Sequence, residues 1–166
     1  MSKNMQRKNQ KAFSLIETIL YLALFALIIS GIVVTMYDLY EVAGRNQSKA
    51  MLHEEKDFLS AKIGSTLASI NPAKPITPAA NTSGASLSET SYDGSTNTIS
   101  VASGTMLLNA ATLNNINVTI SNLVFIHTYS GGTNPESIEA GFTISEKAQN
   151  GMTISETAST TRYLRK

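Results

Sequence analysis

Few residues in this chain have the type and setting to do chemistry. Cys is absent, and His53 and His127 are the only two histidines. Thiol nucleophiles, disulfide staples and Cys-based zinc sites are thereby excluded, and little remains for a His-based metal centre. No Gly-rich phosphate loop and no nucleophile elbow occurs. Glu54, Glu55 and Asp57 are neighbours, but they fall on the polar side of a helical pattern beside Lys56 and read as surface charge. Glu136, Glu139 and Glu146 are spread along a strand pattern without an Asp cluster, so no calcium loop is expected. His127 lies within LVFIHTY, where a packed histidine is expected. The expectation is a non-enzyme without catalytic residues, metal or cofactor. One carboxylate is out of place: Glu17 is the sole charge between Phe13 and Met36. An ionised group in such a run is costly and marks function by default. Pairing with a cation makes it tolerable. The plain alternative is that it snorkels to the headgroups.

The elements that must hold Glu17 follow from patterning. Charged residues are 15% of 166, below the usual quarter, and the formal net charge is +1. A basic nucleic-acid binder is excluded on that balance, and nucleic acid is not expected as a direct ligand. The charge is uneven: Lys3, Arg7, Lys8 and Lys11 precede Phe13 with no acid among them, so the remainder is net acidic. Phe13 to Met36 is 24 residues of almost unbroken apolar character. As a helix it would extend roughly 36 Å, enough to cross a hydrocarbon core. No basic residue follows until Arg45, which predicts a cytoplasmic N-terminus and an extracytoplasmic remainder. Val42-Ala43-Gly44 offers small residues for a secretory cut. The apolar run, however, is too long for an ordinary signal peptide.

Lys11-Ala12-Phe13-Ser14-Leu15-Ile16-Glu17, leading into the apolar run, resembles the class III signal of type IV pilins and type II secretion pseudopilins. In that family a basic leader ends in Gly, then comes Phe, then a hydrophobic helix with Glu fifth. Here Phe13 takes the first mature position and Glu17 the fifth. Ala12 stands where the family has Gly; Ala is the next smallest residue, and slower or still adequate processing is expected. The resemblance implies removal of residues 1–12 by a prepilin peptidase between Ala12 and Phe13, and N-methylation of Phe13. It further implies assembly through the hydrophobic helix on an inner-membrane platform with other pilin or pseudopilin subunits. Glu17 would then neutralise the N-terminal amine of a neighbouring subunit.

Beyond Met36 the helical pattern persists. Leu52, Leu59, Ile63, Leu67 and Ile70 make one apolar face, which Met51 and Phe58 are expected to widen. One helix is therefore expected from Phe13 to about Ser69. Gly31 and Gly44 lower its propensity, and the central Pro of many pilins is missing. Residues 71–97 hold Pro72, Pro75 and Pro78 among Ser, Thr, Ala and Asn, and are expected as a long loop with a turn at Asp93-Gly94. From Thr98 the pattern alternates: Ile99 and Val101, Thr105–Leu108, Asn117–Ile120, Leu123–Tyr129, Ser137–Ser145, then Met152 and Ile154. Turn signals lie at Gly131-Gly132 and Asn134-Pro135. Arg162, Arg165 and Lys166 form a basic tail, expected frayed.

The expected organisation is a basic leader (1–12), a transmembrane and filament-core helix (13–36), its amphipathic half (37–70), a loop (71–97) and an antiparallel sheet domain (98–166). The fold class is α+β, with a long helix on one sheet of four to six strands. The expected function is a structural subunit, minor pilin or pseudopilin, of a type IV pilus or type II secretion filament. A major pilin, or a signal-anchored binding domain that never polymerises, is the alternative.

Overall fold

The structure, a computed structural model, describes residues 14–129, 135–147 and 151–164. One helix, α1, runs Leu15–Ser69, 55 residues. No Pro occurs before Pro72, so nothing breaks the ladder, and helix formation passes through Gly31 and Gly44. It stops where Asn71-Pro72 can no longer continue it. The chain divides into two units, residues 1–42 and 43–166.

In the first unit every described side chain from Ser14 to Val42 is exposed. No tertiary packing there accounts for so much apolar surface.

The second unit has its own core. Leu52, Leu59 and Ile63 are fully buried, with Leu67 and Ile70 almost so. They join Phe125, Phe142, Ile138, Ile144, Leu87, Ile99 and Met106 in one cluster. The spacing of the stripe is thus that of a helix laid on sheet. Met51 and Phe58 do not widen it: they are 43% and 52% exposed. Both lie beyond the arc of the helix that faces the strands.

Among the described residues eight strands follow, not one sheet of four to six. They are β1 Thr82–Gly84, β2 Leu87–Thr90, β3 Thr96–Ala102, β4 Thr105–Leu108, β5 Ala111–Thr112, β6 Val118–Thr128, β7 Ser137–Lys147 and β8 Thr153–Tyr163. They form two antiparallel sheets, ordered β1-β6-β7-β8 and β2-β3-β4-β5. The fold is therefore α+β and pilin-like, a long helix packed on antiparallel sheet.

Three expectations need correction here. The segment 71–97, expected as loop, carries β1, β2 and the start of β3. Its polar strands are too short to show a period, and pairing supplies what pattern does not: Thr82 opposes His127, and Leu87 opposes Ile99. The expected separate strands Asn117–Ile120 and Leu123–Tyr129 are one strand, β6, with a bulge between Ser121 and Val124 where Asn122 adopts φ 53°. The tail is not frayed at Arg162: Arg162 and Tyr163 complete β8, and Leu164 is buried with its N–H donating to the Glu136 carbonyl at 2.8 Å.

Two local features fit their sequence. At the expected turn, Asp93 accepts from Ser95 N–H at 2.8 Å and from its hydroxyl at 2.6 Å, while Gly94 takes φ 88°. Between β3 and β4, Ser103 and Gly104 both have positive φ, as a type I′ hairpin requires. A Cβ on Gly104 would stand 2.7 Å from Thr119 Cγ2, so only Gly allows the hairpin to meet β6 there.

Candidate functional site

The start of α1 is built by four residues. Ser14 precedes the helix and caps it: its hydroxyl accepts the Glu17 N–H at 3.3 Å, and its carbonyl accepts Glu17 and Thr18 N–H at 3.1 and 3.2 Å. Ser14-Leu15-Ile16-Glu17 has the S-x-x-E spacing of a capping box. The sequence reading missed this role for Ser14, although the spacing was there to be seen. Glu17 lies in the first turn and is exposed. Its negative charge there also complements the partial positive end of the helix. A carboxylate so placed has both oxygens open to an external cation.

After Glu17 the helix carries no charged residue until Asp38. Leu22, Phe25, Ile28 and Ile32 are each about half exposed or more. By length and composition α1 is able to cross a membrane. Ser30 and Thr35 turn their hydroxyls back onto the Leu27 and Gly31 carbonyls at 2.8 and 2.9 Å, so they add no free polar group to that surface.

Of the expected site residues, Glu17 is placed at the helix start. Lys3, Arg7, Lys8, Lys11, Ala12 and Phe13 lie outside the described residues.

The remaining ionisable residues of interest are engaged in structure. His127 is buried; its Nδ1 lies 2.9 Å from the Pro78 carbonyl and its Nε2 2.7 Å from Glu136 Oε1. Both ring nitrogens are occupied, so neither is open to a substrate. Glu55 and Lys56 are more than the surface charge expected of them. Glu55 accepts the Asn115 N–H at 2.7 Å, and Lys56 Nζ donates to Glu156 on β8 at 2.8 Å. The Lys56 hydrogen bond, with His53 adding to it, holds the Glu156 carboxyl below its ordinary range against a smaller opposing effect of burial. Ser95 does the same for Asp93. Glu89 is buried and accepts from Asn97 Nδ2 at 2.7 Å and Ser91 Oγ at 3.1 Å. Among the described residues no group of three His, Cys, Asp or Glu could hold a metal ion.

A family model for the prokaryotic N-terminal methylation motif matches residues 7–33. The match takes in Arg7, Lys8, Lys11, the Ala12-Phe13 junction, Ser14 and Glu17. No curated protein and no solved structure matches the chain significantly. The motif marks a substrate of a prepilin peptidase with filament partners, and it fits membrane anchoring through α1. The chain carries a type IV pilin-like prepilin signal on a pilin-like α+β fold, and the two together support a subunit of a type IV pilus or secretion filament.

Proposed function

We propose that this protein is a minor pilin or pseudopilin, inserted as a prepilin with its N-terminus in the cytoplasm and matured before assembly. The peptidase hydrolyses the Ala12-Phe13 peptide bond, the leader with Lys3, Arg7, Lys8 and Lys11 stays behind, and the Phe13 amine is methylated. Mature subunits then leave the inner membrane through an assembly platform and pack by α1. Glu17 of one subunit pairs with the terminal ammonium of the next, where an unpaired charge among apolar helices would cost several kcal/mol. The observation that carries the reading is a single carboxylate in the first turn of a helix that is otherwise uncharged and exposed as far as Tyr37, inside a matched methylation motif.

The test compares Glu17, Glu17→Gln and Glu17→Leu. Insertion and cleavage should survive in all three, with mass spectrometry giving a mature chain that begins at Phe13. Incorporation into sheared filaments should fall in the order Glu, Gln, Leu. Equal incorporation, or an intact Met1 start in cells with active peptidase, returns the protein to a signal-anchored domain.

A further inference from the structure

We propose that Ile116 of one copy of this chain seats in a cavity at the C-terminal end of α1 on the next copy, so that second units join head to tail. The inference rests on the reading of the chain as a filament subunit, and it names a contact outside the first unit.

The knob belongs to a short segment, residues 113–117, between β5 and β6. Ile116 is 97% exposed, more than any large apolar residue of α1. A lone exposed apolar residue on a loose loop is ordinary. This one is fixed in place. Asn114 is buried; its Oδ1 accepts the Met106 N–H at 2.7 Å and its Nδ2 donates to the Val118 carbonyl at 2.7 Å. The Asn115 N–H donates to Glu55 Oε1 at 2.7 Å, which ties the segment to α1. The Asn117 N–H donates to Asn115 Oδ1 at 3.1 Å, and the Val118 N–H to the Asn115 carbonyl at 3.0 Å. Asn114 and Asn115 thus use their amides to hold the backbone around Ile116. The segment is ordered within its own subunit, so little freedom is left to lose when Ile116 meets a partner.

The cavity holds about 240 Å³, more than one isoleucyl side chain occupies. Its base is apolar: Leu67 and Ile70 of α1, and Leu164 after β8, are buried. Its rim is Tyr92, Arg162 and Tyr163, all exposed. An apolar base inside a polar rim is the layout of a site that holds one apolar anchor and keeps water from it. The rim also suits what flanks the knob. Arg162 and the tyrosine hydroxyls can donate, and Asn117, exposed beside Ile116, carries an amide oxygen that can accept.

Knob and cavity lie apart on one molecule. The knob is tied to α1 at Glu55 and the cavity takes in Leu67; between these residues the helix rises about 18 Å. Ile116 therefore does not reach the cavity of its own chain, and the occupant is a second copy. Two different surfaces that fit each other make a head-to-tail contact, which continues as an open helical series when its rotation does not close a ring.

The chain has no Cys, so cross-linking starts from a clean background. Ile116→Cys and Ala68→Cys, the latter at an exposed residue lining the cavity, are placed together in one full-length chain. Sheared filaments are oxidised in air with copper–phenanthroline. A ladder of dimers, trimers and higher multimers is expected, and none from either Cys alone. Ile116→Lys, which sets a like charge against Arg162, should lower incorporation into filaments about tenfold, while Ile116→Leu should keep it. Both variants should mature and melt as the parent does, because the residue is exposed. Filaments that hold the double variant yet give no ladder, or that take up Ile116→Lys as they do the parent, overturn this contact and leave the filament reading intact. Dimers from Ile116→Cys alone, or one band joined to a different protein, overturn it in favour of a twofold contact or another partner. Absence of the parent chain from filaments overturns the filament reading itself, and the contact with it.

Discussion

Between Ser14 and Val42 every side chain of α1 is exposed, whereas Leu52, Leu59, Ile63, Leu67 and Ile70 are at most 2% exposed. The helix is the same element throughout. In the first unit the apolar residues surround the axis, and in the second they keep to one stripe. A helix apolar all round has no protein face to hide, so its stabilising environment is lipid or other helices. A striped helix closes a core within its own chain. One backbone thus serves two solvents, and the side-chain pattern alone assigns each half.

The sharpest break of that comparison is a charge in the stripe. Leu59→Asp buries an unpaired carboxylate, at a cost comparable with the whole stability of a small domain. The cooperative melt of the second unit, followed by circular dichroism on the full chain in detergent, should vanish. Phe58→Asp, one residue away but 52% exposed, should shift it little. Equal melts for the two variants would show that the stripe is not core.

A smaller loss is expected from His127→Ala. The Pro78 carbonyl and the Glu136 carboxylate would lose their partner at a largely buried place, 5% exposed on the His127 side and 13% on the Glu136 side. About 1–3 kcal/mol is expected, seen as a lower denaturant midpoint. The first unit, which lacks such contacts, should keep its helical signal.

The smallest effect concerns Lys56 and Glu156, whose side chains are 19% and 31% exposed. Lys56 holds the Glu156 pKa down in the folded state. Its stabilisation is therefore present above the unfolded carboxylate value and is lost as pH falls through the lowered folded one. Lys56→Met should lower stability by under about 1 kcal/mol at neutral pH. It should also flatten the acid limb of a melting-temperature titration below about pH 4.5. An acid limb identical to that of the parent would show that the pair contributes nothing.

What was legible in the sequence tracks how many residues share one pattern. The apolar run and the Leu52–Ile70 stripe repeat over many turns, so helix and buried face were both readable. β7 alternates from Ser137 to Ser145 and was readable too, whereas β8 showed only its start at Ile154, because its later inward positions include Glu156, Thr160 and Arg162. By contrast β1, β2 and β5 are two to four residues long and exist through their partners. Ser83-Gly84 is a strand because Ile126 and Phe125 lie opposite, which no local window contains. Met51 and Phe58 look like core by composition; only the position of the sheet decides that they are outside it. At the candidate site, Glu17 stood out by charge, while the cap at Ser14 needed attention to a spacing of three.

The far end of α1 is joined to the β2–β3 hairpin rather than trailing from it. Asn71 N–H donates to the Thr90 carbonyl at 2.9 Å, Tyr92 N–H to the Ser69 carbonyl at 3.1 Å, and Ser91 Oγ to Ser69 Oγ at 3.0 Å. Mechanically these bonds are a clamp. Tension applied along the C-terminal part of the helix loads the three together, with the buried stripe resisting in shear beside them. Bonds loaded in parallel share the force, where bonds loaded in series fail one at a time. The second unit should therefore yield late and in one step when pulled through α1, as suits a part that bears load.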